Sequence, residues 1–302
     1  MRQPDTFLVG APKCGTTAMN DYLEQHPEIF MARTKELHYF GSDLHTGFAR
    51  LGREQYLAYF QAAGDERRVG EASVNYLVSR NAAAEIRDFR PDARIIIMLR
   101  NPVDMMYSLH SQLMFLGCED IEDFGRALEA EEDRKAGRGI PSGAGVIEDL
   151  YYRHVTDYAP QVRRFFDAFG REQVLVIVFD DFKADVAVEF RRTLEFLDVD
   201  PSFQPPLGVV NPNKRTRFRW LQRVLFNRFT KSHKVRSLVP ESLRRALWRP
   251  LIRLNMKREQ RQPMDPELRR QLQAEKLPEV EALSELLGRD LTHWCRDGQG
   301  GR

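Results

Sequence analysis

Short runs of apolar residues alternate along this chain with longer stretches in which apolar residues recur at helical spacing. Four of the short runs predict β-strands: residues 6–9, 70–73, 94–99 and 174–179. Three of the longer stretches predict α-helices: residues 16–25, 184–197 and 265–287. Strands that alternate with helices are typical of an α/β fold with a central, mainly parallel sheet flanked by helices. We therefore predict that fold class, with a P-loop-like start in which a glycine-bearing loop joins the first strand to the first helix.

Proline, glycine and asparagine mark several boundaries between these elements. Asn101 and Pro102 follow directly after the predicted strand 94–99. Asparagine is a favourable N-cap and proline suits the first turn of a helix, so we predict that a helix begins here. Residues 137–145 contain four glycines and a proline, which predicts a loop between two helices.

Length and composition limit the class of protein. The chain has 302 residues, of which 42% are apolar, so it can bury a large core without disulfides. We predict a single domain over residues 1–302. The three cysteines, Cys14, Cys118 and Cys295, are far apart, which argues against a disulfide framework and a structural zinc site. No apolar run reaches the ~18 residues of a membrane span and no secretory leader pattern precedes the first strand, so we expect a cytoplasmic protein.

Positive charge is concentrated in one late segment. The net charge of the whole chain is only +2, yet residues 214–261 hold 16 Lys and Arg residues against two acids. Apolar residues recur there at helical spacing, so we predict a basic helical segment, followed by a C-terminal helical part over residues 262–302. Three interpretations of the segment remain open: amphipathic helices with a basic polar face, a polyanion site, or contact with an anionic membrane surface.

The loop after the first strand has the composition of a phosphate cradle. It reads Gly10-Ala11-Pro12-Lys13-Cys14-Gly15-Thr16-Thr17. Glycine lets the backbone approach an anion closely, and N–H groups at the start of the next helix would point at it. The loop departs from the Walker A pattern GxxxxGK[ST], because Lys13 precedes Gly15 instead of following it. This departure weakens an ATPase or GTPase interpretation. An ordinary tight junction between strand and helix is a further alternative for the loop.

Several segments together resemble those of sulfotransferases that use 3′-phosphoadenosine 5′-phosphosulfate (PAPS), in particular bacterial members related to the heparan sulfate sulfotransferases. The first loop is similar to the family's 5′-phosphosulfate-binding loop. Residues 100–104, with Ser108 in the following helix, are similar to its 3′-phosphate motif. Residues 35–40 resemble a segment often written KEPHFF, and residues 70–77 resemble the segment with the catalytic glutamate. The resemblance extends over nearly the whole chain.

The resemblance implies two anion sites for PAPS, a co-substrate that leaves as adenosine 3′,5′-bisphosphate. Residues implied for the 5′ end are Pro12, Lys13, Cys14, Gly15, Thr16 and Thr17. Arg100 and Ser108 are implied for the 3′-phosphate, and arginine offers a forked, permanently charged contact to it. In the family a late basic loop closes over the 3′-phosphate end of the nucleotide. This implies that Lys214, Arg215 or Arg217 contacts the 3′-phosphate. The leaving oxygen gains negative charge, and Lys13 is positioned in the sequence to stabilise it.

The acceptor must lose a proton as it attacks, and a carboxylate within hydrogen-bond reach would accept that proton. By resemblance this carboxylate is Glu71. Family members often carry lysine where this chain has Ala72, so the electrostatic neighbour of the glutamate is either missing or supplied by Lys35 or another basic residue. His38 is the rival base because imidazole titrates near neutrality; positioning of the substrate is its other candidate role.

We therefore predict an enzyme that moves a sulfuryl group from PAPS to a hydroxyl or amine of an acceptor, namely a carbohydrate, a glycolipid or a small molecule. The sequence offers no convincing metal-ligand cluster, and we expect metal-free transfer. Two alternatives remain. A nucleotide kinase or NTPase with a variant loop is kept open by Asp180 and Asp181, which follow a strand. A non-catalytic module would bind a polyanion or membrane through residues 214–261; we expect no nucleic-acid partner.

Overall fold

A five-stranded parallel sheet forms the centre of the computed structural model, which describes residues 2–206, 215–216, 256–257 and 262–296. Its strands are β1 (Thr6–Gly10), β2 (Ile29–Met31), β3 (Arg68–Ala72), β4 (Arg94–Leu99) and β5 (Val174–Val178). They lie in the order β2-β3-β1-β4-β5, and each pair of neighbours is parallel. The predicted α/β fold with a central parallel sheet is confirmed.

Helices flank this sheet. Within the described residues the α-helices are α1 (Thr16–Leu23), α2 (Arg53–Leu57), α3 (Ala82–Phe89), α4 (Pro102–Leu116), α5 (Phe124–Glu129), α6 (Glu131–Lys135), α7 (Tyr158–Phe169), α8 (Phe179–Ala184), α9 (Val186–Phe196) and α10 (Pro266–Leu287). Short 3₁₀ turns include Val74–Tyr76 and Ile147–Leu150, which border the site described below. In this same part of the chain, no helix combines the length and apolarity needed to cross a membrane.

The continuous apolar run of β4 reflects its position inside the sheet. Strand β4 pairs with β1 on one side and β5 on the other. The three isoleucines Ile95, Ile96 and Ile97 are fully buried, because successive side chains point to opposite faces and both faces are covered. A run of this kind therefore predicts a strand with protein on both faces, as observed.

The predicted boundaries hold within a few residues for most elements. Strands predicted at 6–9, 70–73, 94–99 and 174–179 correspond to β1, β3, β4 and β5. The sequence pattern did not indicate β2, because a strand of three residues is too short to display a period. The helix predicted over 184–197 corresponds to α9. The sequence pattern did not indicate α8, which precedes α9 and is separated from it by Asp185, whose side chain caps α9.

The predicted start of α4 is confirmed. The Asn101 side-chain oxygen accepts hydrogen bonds from the N–H groups of Val103 at 3.0 Å and Asp104 at 3.3 Å. Pro102 occupies the first helical position. The side-chain amide of Asn101 also donates to the carbonyl oxygen of Trp294 at 2.9 Å, so the same residue joins the start of α4 to the C-terminal part of the chain.

The basic segment is described at four residues only. Arg215–Thr216 (β6) pairs antiparallel with Met256–Lys257 (β7). The helices predicted for residues 214–261, together with Lys214 and Arg217, lie outside the described residues.

A fully buried ion pair joins α6 to the chain that follows α4. The guanidinium of Arg134 donates to both carboxylate oxygens of Glu119, at 2.8 and 2.7 Å, and both side chains are 0% exposed. The hydroxyl of Tyr152 donates to the same carboxylate at 2.7 Å, as do the N–H groups of Asp120 and Ile121. The Arg134 guanidinium compensates the charge of the buried Glu119 carboxylate, and the other donors satisfy its lone pairs. Loss of either charged partner would leave the other charge buried without compensation.

We predict that Glu119→Gln lowers the free energy of unfolding by about 3–5 kcal/mol, because it leaves the Arg134 charge buried without a counter-charge. Denaturant titration of the two proteins measures this loss. The matched control is Asp133→Asn, which removes an acid from a pair with Arg138 whose side chains are 65% and 67% exposed. That change should cost less than about 1 kcal/mol, and equal losses for both variants would contradict the prediction.

Candidate active site

The loop after β1 packs against the ends of both neighbouring strands. The N–H of Ala11 donates to the carbonyl oxygen of Met98 in β4 at 2.7 Å. A Cβ atom placed on Gly10 would lie 2.5 Å from the Cβ of Leu77 and 2.9 Å from the carbonyl oxygen of Val74, both of which follow β3. Only glycine allows this close approach, so the path of the loop is set by contact with its neighbours.

The N-terminus of helix α1 is suited to bind an anion. Gly15 is its N-cap, with φ of 90°, and no side-chain cap hydrogen bond is formed at this end by the residues that the structure describes. The first turn also contains no acidic residue. The N–H groups of the first turn and the positive end of the helix dipole therefore favour a negatively charged ligand. Lys13, half-buried and with φ of 63°, adds a cation to the same loop.

Arg100 meets this loop from the end of β4. Its Nη1 lies 3.4 Å from the carbonyl oxygen of Lys13, in a long hydrogen bond. The guanidinium carbon stands 5.1 Å from the ring centroid of Phe179, a cation–π contact that orients the side chain. Ser108 is buried further along α4. The two cationic residues that the sequence placed after separate strands are thus brought together.

Cys14 lies inside the loop but is shielded from solvent. Its thiol is fully buried and lies 3.3 Å from the carbonyl oxygen of Pro12. Burial raises the pKa of Cys14 to about 12, although the nearby cations Arg100 and Lys13 act in the opposite direction. The thiol is therefore protonated at neutral pH and acts as a small packing residue rather than as a nucleophile.

Residues 35–40 lie along the loop and the end of β3. The Nζ of Lys35 donates to the hydroxyl of Thr17 at 3.0 Å, which ties this segment to α1. The N–H of Glu36 donates to the carbonyl oxygen of Ala72 at 2.8 Å. Burial lowers the pKa of Lys35, while the Glu36 and Asp21 carboxylates favour its charged form.

Glu36 is a carboxylate with one oxygen held and one oxygen open. Its Oε2 accepts a hydrogen bond from the N–H of Val74 at 2.9 Å, whereas Oε1 has no partner among the described residues. The side chain is 36% exposed. Burial raises the pKa of Glu36 to about 7; Lys35 and the Val74 N–H oppose this rise, and the charges of Asp149 and Glu71 add to it. A carboxylate in this state binds a proton readily near neutral pH.

Glu71 has the opposite environment. It is fully buried, and both of its oxygens accept hydrogen bonds. Oε1 accepts from the hydroxyls of Tyr56 at 2.5 Å and Tyr76 at 3.1 Å, and Oε2 accepts from the hydroxyl of Ser73 at 2.8 Å. Burial raises the pKa of Glu71 to about 7, and the three hydroxyls oppose that rise. The side chain is therefore enclosed in the protein interior.

His38 is a buried residue that borders Glu36. Its Nε2 lies 3.9 Å from Glu36 Oε2, and its ring centroid lies 5.3 Å from that of Phe48. Burial and the nearby Arg50 charge lower the pKa of His38 to about 4, so the imidazole is neutral at pH 7. Its Nδ1 is buried without a hydrogen-bond partner among the described residues.

The acids that follow β5 are engaged by the C-terminal part of the chain. Asp180 accepts a hydrogen bond from the indole N–H of Trp294 at 2.6 Å, and Asp181 forms an ion pair with Arg289. In the described ranges, no three His, Cys, Asp or Glu side chains approach closely enough to hold a metal ion. These two carboxylates therefore anchor the C-terminal residues on the sheet.

The structure brings some of the sequence-predicted site residues together and separates others. Residues 12–17 and Arg100 meet at the carboxyl edge of the sheet, with His38 nearby. Glu71 lies in the interior beneath them. Arg215 is described only as backbone in β6, and Lys214 and Arg217 lie outside the described residues.

Glu36 belongs to the motif of residues 35–40, but the sequence alone predicts no role for it. The available signal is the pair of charges that opens the run Lys35-Glu36-Leu37-His38-Tyr39-Phe40, whose other residues are aliphatic, aromatic or histidine. Leu37 and Phe40 are buried, so the adjoining pair is held against the protein and is only partly exposed.

Comparisons with known proteins agree with this geometry. The family profile described as "Sulfotransferase domain" matches residues 3–274. The crystal structure of a sulfotransferase from Alicyclobacillus acidocaldarius is 31% identical and matches with a TM-score of 0.73, over 98% of this chain and 100% of that chain.

Two curated relatives from Mus musculus also match. Carbohydrate sulfotransferase 15 is 26% identical over 266 residues, which cover 71% of this chain and 47% of the relative. Heparan sulfate glucosamine 3-O-sulfotransferase 3A1 is 28% identical over 194 residues, 64% of this chain and 45% of the relative. The chain spans about half the length of these curated relatives. Because the family profile covers most of the sequence, including the anion loop, Arg100 and Glu36, the chain belongs to the sulfotransferase domain family.

Proposed function

We propose that this protein transfers a sulfuryl group from PAPS to a hydroxyl or amine of a carbohydrate-type acceptor. The observation that carries this proposal is the meeting of the β1 loop with Arg100, whose Nη1 lies 3.4 Å from the carbonyl oxygen of Lys13. PAPS is negatively charged at its 5′-phosphosulfate and at its 3′-phosphate, and a site for it needs a cation at each end. The names of the two curated relatives, a carbohydrate and a heparan sulfate sulfotransferase, support a carbohydrate acceptor.

The residues at the carboxyl edge of the sheet fit the donor. The N–H groups that begin α1 and the Lys13 ammonium would hold the 5′-phosphosulfate, with Thr16 and Thr17 beside them. Arg100 would hold the 3′-phosphate through a forked contact that the Phe179 ring keeps oriented. Ser108 and one of Lys214, Arg215 and Arg217 stay candidates for the same phosphate.

We assign the general base to Glu36 in preference to Glu71. The acceptor oxygen or nitrogen forms a bond to sulfur while the bond from sulfur to the bridging oxygen breaks. The electron pair of the broken bond stays on that oxygen, which leaves with adenosine 3′,5′-bisphosphate. The acceptor proton goes to the open Oε1 of Glu36, while Lys13 stabilises the charge on the leaving oxygen. Glu71 is less suited to receive the proton, because it is fully buried and three hydroxyls already donate to its two oxygens.

Glu71 and His38 then have supporting roles. Glu71 accepts the hydroxyl of Ser73, and the oxygen of that hydroxyl accepts the N–H groups of Leu37 at 3.0 Å and His38 at 3.4 Å. Glu71 thereby positions the segment that carries Glu36. His38, neutral at pH 7, is a hydrogen-bonding group for the acceptor in place of a base.

Neither alternative function gains a supporting observation. The kinase interpretation depended on Asp180 and Asp181, whose carboxylates are bound to Trp294 and Arg289. The polyanion or membrane interpretation depends on residues 214–261, nearly all of which lie outside the described residues.

We predict that adenosine 3′,5′-bisphosphate raises the melting temperature more than AMP does. At about 100 times its dissociation constant, the bisphosphate should stabilise the folded state by about 2.7 kcal/mol. Arg100→Ala should weaken bisphosphate binding about 10- to 100-fold, since a hydrogen bond to a charged group contributes about 1.5–3 kcal/mol. Binding of AMP should change little.

The matched control for Arg100→Ala is Arg67→Ala. Arg67 is exposed and pairs with Asp198 just ahead of β3, at the opposite edge of the sheet. An equal loss of affinity for bisphosphate and AMP in Arg100→Ala, or a loss of the same size in Arg67→Ala, would refute the 3′-phosphate role of Arg100.

We predict that the rate of sulfuryl transfer rises with pH up to about 7 and then becomes constant, because Glu36 accepts a proton only when it is ionised and its pKa is about 7. Glu36→Gln should lower the rate about 10²- to 10⁴-fold and abolish this pH dependence. Binding of adenosine 3′,5′-bisphosphate should persist. The rate can be followed with PAPS and p-nitrophenyl β-D-glucopyranoside as acceptor.

The paired variant is Glu71→Gln, which replaces the buried carboxylate by an amide. It should lower stability through loss of the hydroxyl contacts and keep the rise of rate with pH. If Glu71→Gln abolished that rise while Glu36→Gln retained it, the base would be Glu71.

A further inference from the structure

Two carboxylates on the acceptor side are held by consecutive residues of one turn. The turn is the 3₁₀ element Val74–Tyr76, directly after β3. The N–H of Val74 donates to Glu36 Oε2 at 2.9 Å, and the side-chain amide of Asn75 donates to Asp149 Oδ1 at 2.6 Å. Each carboxylate is thus anchored through one oxygen by a neutral donor.

Asp149 lies close enough to Glu36 for their charges to interact. Its charge contributes to the raised pKa of Glu36, and burial raises its own pKa to about 6, with the Asn75 amide opposing that rise and Glu148 adding to it. Asp149 is only partly buried, and its Oδ2 has no partner within the described part of the chain. A partly buried carboxylate with an open oxygen near the proposed base is a hydrogen-bond acceptor without an assigned role.

The segment that carries Asp149 is docked on the chain that follows His38. The N–H of Ile147 donates to the carbonyl oxygen of His45 at 2.9 Å. The carboxylate of Glu148 is used in the same contact, because it accepts the backbone N–H of His45 at 3.1 Å and lies 2.8 Å from the His45 ring nitrogen. Of these two neighbouring acids, Asp149 is therefore the one that is free to meet a ligand.

Cations near the two carboxylates are already engaged. Lys35 donates to Thr17, and Arg50 donates to the carbonyl oxygens of Phe40, Gly41 and Leu44. Both side chains donate to neutral groups, and within the described part of the chain neither forms an ion pair with Asp149. The ring of Phe48, 43% exposed, packs against His38 and adds an apolar surface there. Carboxylate oxygens beside an exposed ring suit a ligand with hydroxyl groups and an apolar face.

We infer that Asp149 binds a hydroxyl or amine of the acceptor next to the reacting group, and that it selects neutral, hydroxyl-rich acceptors over acidic ones. The inference rests on the proposed function, because Glu36 must face the acceptor. A carboxylate on the acceptor would be repelled by Asp149, whereas a hydroxyl would donate to its open oxygen. Asp149 is in this sense a specificity residue and takes no proton from the reacting atom.

The test compares two acceptors that differ in one group, p-nitrophenyl β-D-glucopyranoside and p-nitrophenyl β-D-glucuronide. Binding of each to the full chain saturated with adenosine 3′,5′-bisphosphate is measured by calorimetry at pH 8, where Asp149 is ionised. Wild type should bind the neutral glycoside at least tenfold more tightly. In Asp149→Asn this ratio should fall at least threefold, with KM for the glucopyranoside in the transfer assay raised more than kcat is lowered. Asp92→Asn, an exposed acid before β4 at the opposite edge of the sheet, should keep the wild-type ratio.

Each other outcome overturns the inference. Equal binding of the two glycosides by wild type, an unchanged ratio in Asp149→Asn, or no binding of either glycoside would show that Asp149 does not select the acceptor. The melting-temperature shift caused by adenosine 3′,5′-bisphosphate is measured on the same samples. If that shift persists, only the role of Asp149 fails; if it is absent from wild type, the proposed function fails.

Discussion

The parallel pairing of β1 with β3 on one side and with β4 on the other determines where the functional side chains meet. Parallel strands end at the same edge of a sheet, so the chain leaves all three strands within reach of one ligand. The loop after β1 carries Lys13, the residue after β4 is Arg100, and the turn after β3 holds Glu36. A change in this pairing would separate the anion sites from the proposed base, whatever the local sequence of each loop.

Two glutamates with similarly raised pKa values illustrate why a pKa alone does not identify a base. Burial raises the pKa of both Glu36 and Glu71 to about 7. Glu71 satisfies its lone pairs with hydroxyls of Tyr56, Tyr76 and Ser73, so protonation or deprotonation would disturb a filled network. Glu36 has one open oxygen at the surface. A carboxylate suited to exchange protons with a substrate needs a raised pKa and also an oxygen that the substrate can reach.

The two glutamates are also mechanically linked. Ser73 donates its hydroxyl proton to Glu71 and accepts backbone N–H groups of Leu37 and His38 with its oxygen. The fully buried acid therefore fixes the backbone one residue after Glu36. A break in this chain of hydrogen bonds would leave a buried polar group without a partner, which costs free energy. The chain from Glu71 through Ser73 therefore holds the backbone beside Glu36 in place. A residue linked in this way can influence the site without touching the substrate.

The sequence by itself determined the fold class, the anion loop and the position of Arg100. Continuous apolar runs predict buried parallel strands, and a glycine-bearing loop between strand and helix predicts an anion site, because both features depend on residues that are adjacent in the chain. Only the tertiary structure decided which of the two carboxylates, Glu36 or Glu71, keeps an oxygen without a hydrogen-bond partner among the described residues. The hydroxyls that enclose Glu71 come from Tyr56 on α2, fifteen residues away, and from the turn after β3. The partner of Asp149 is Asn75, which is 74 residues distant. Solvent access and hydrogen-bond satisfaction depend on contacts of this length, for which the local pattern of residues contains no signal.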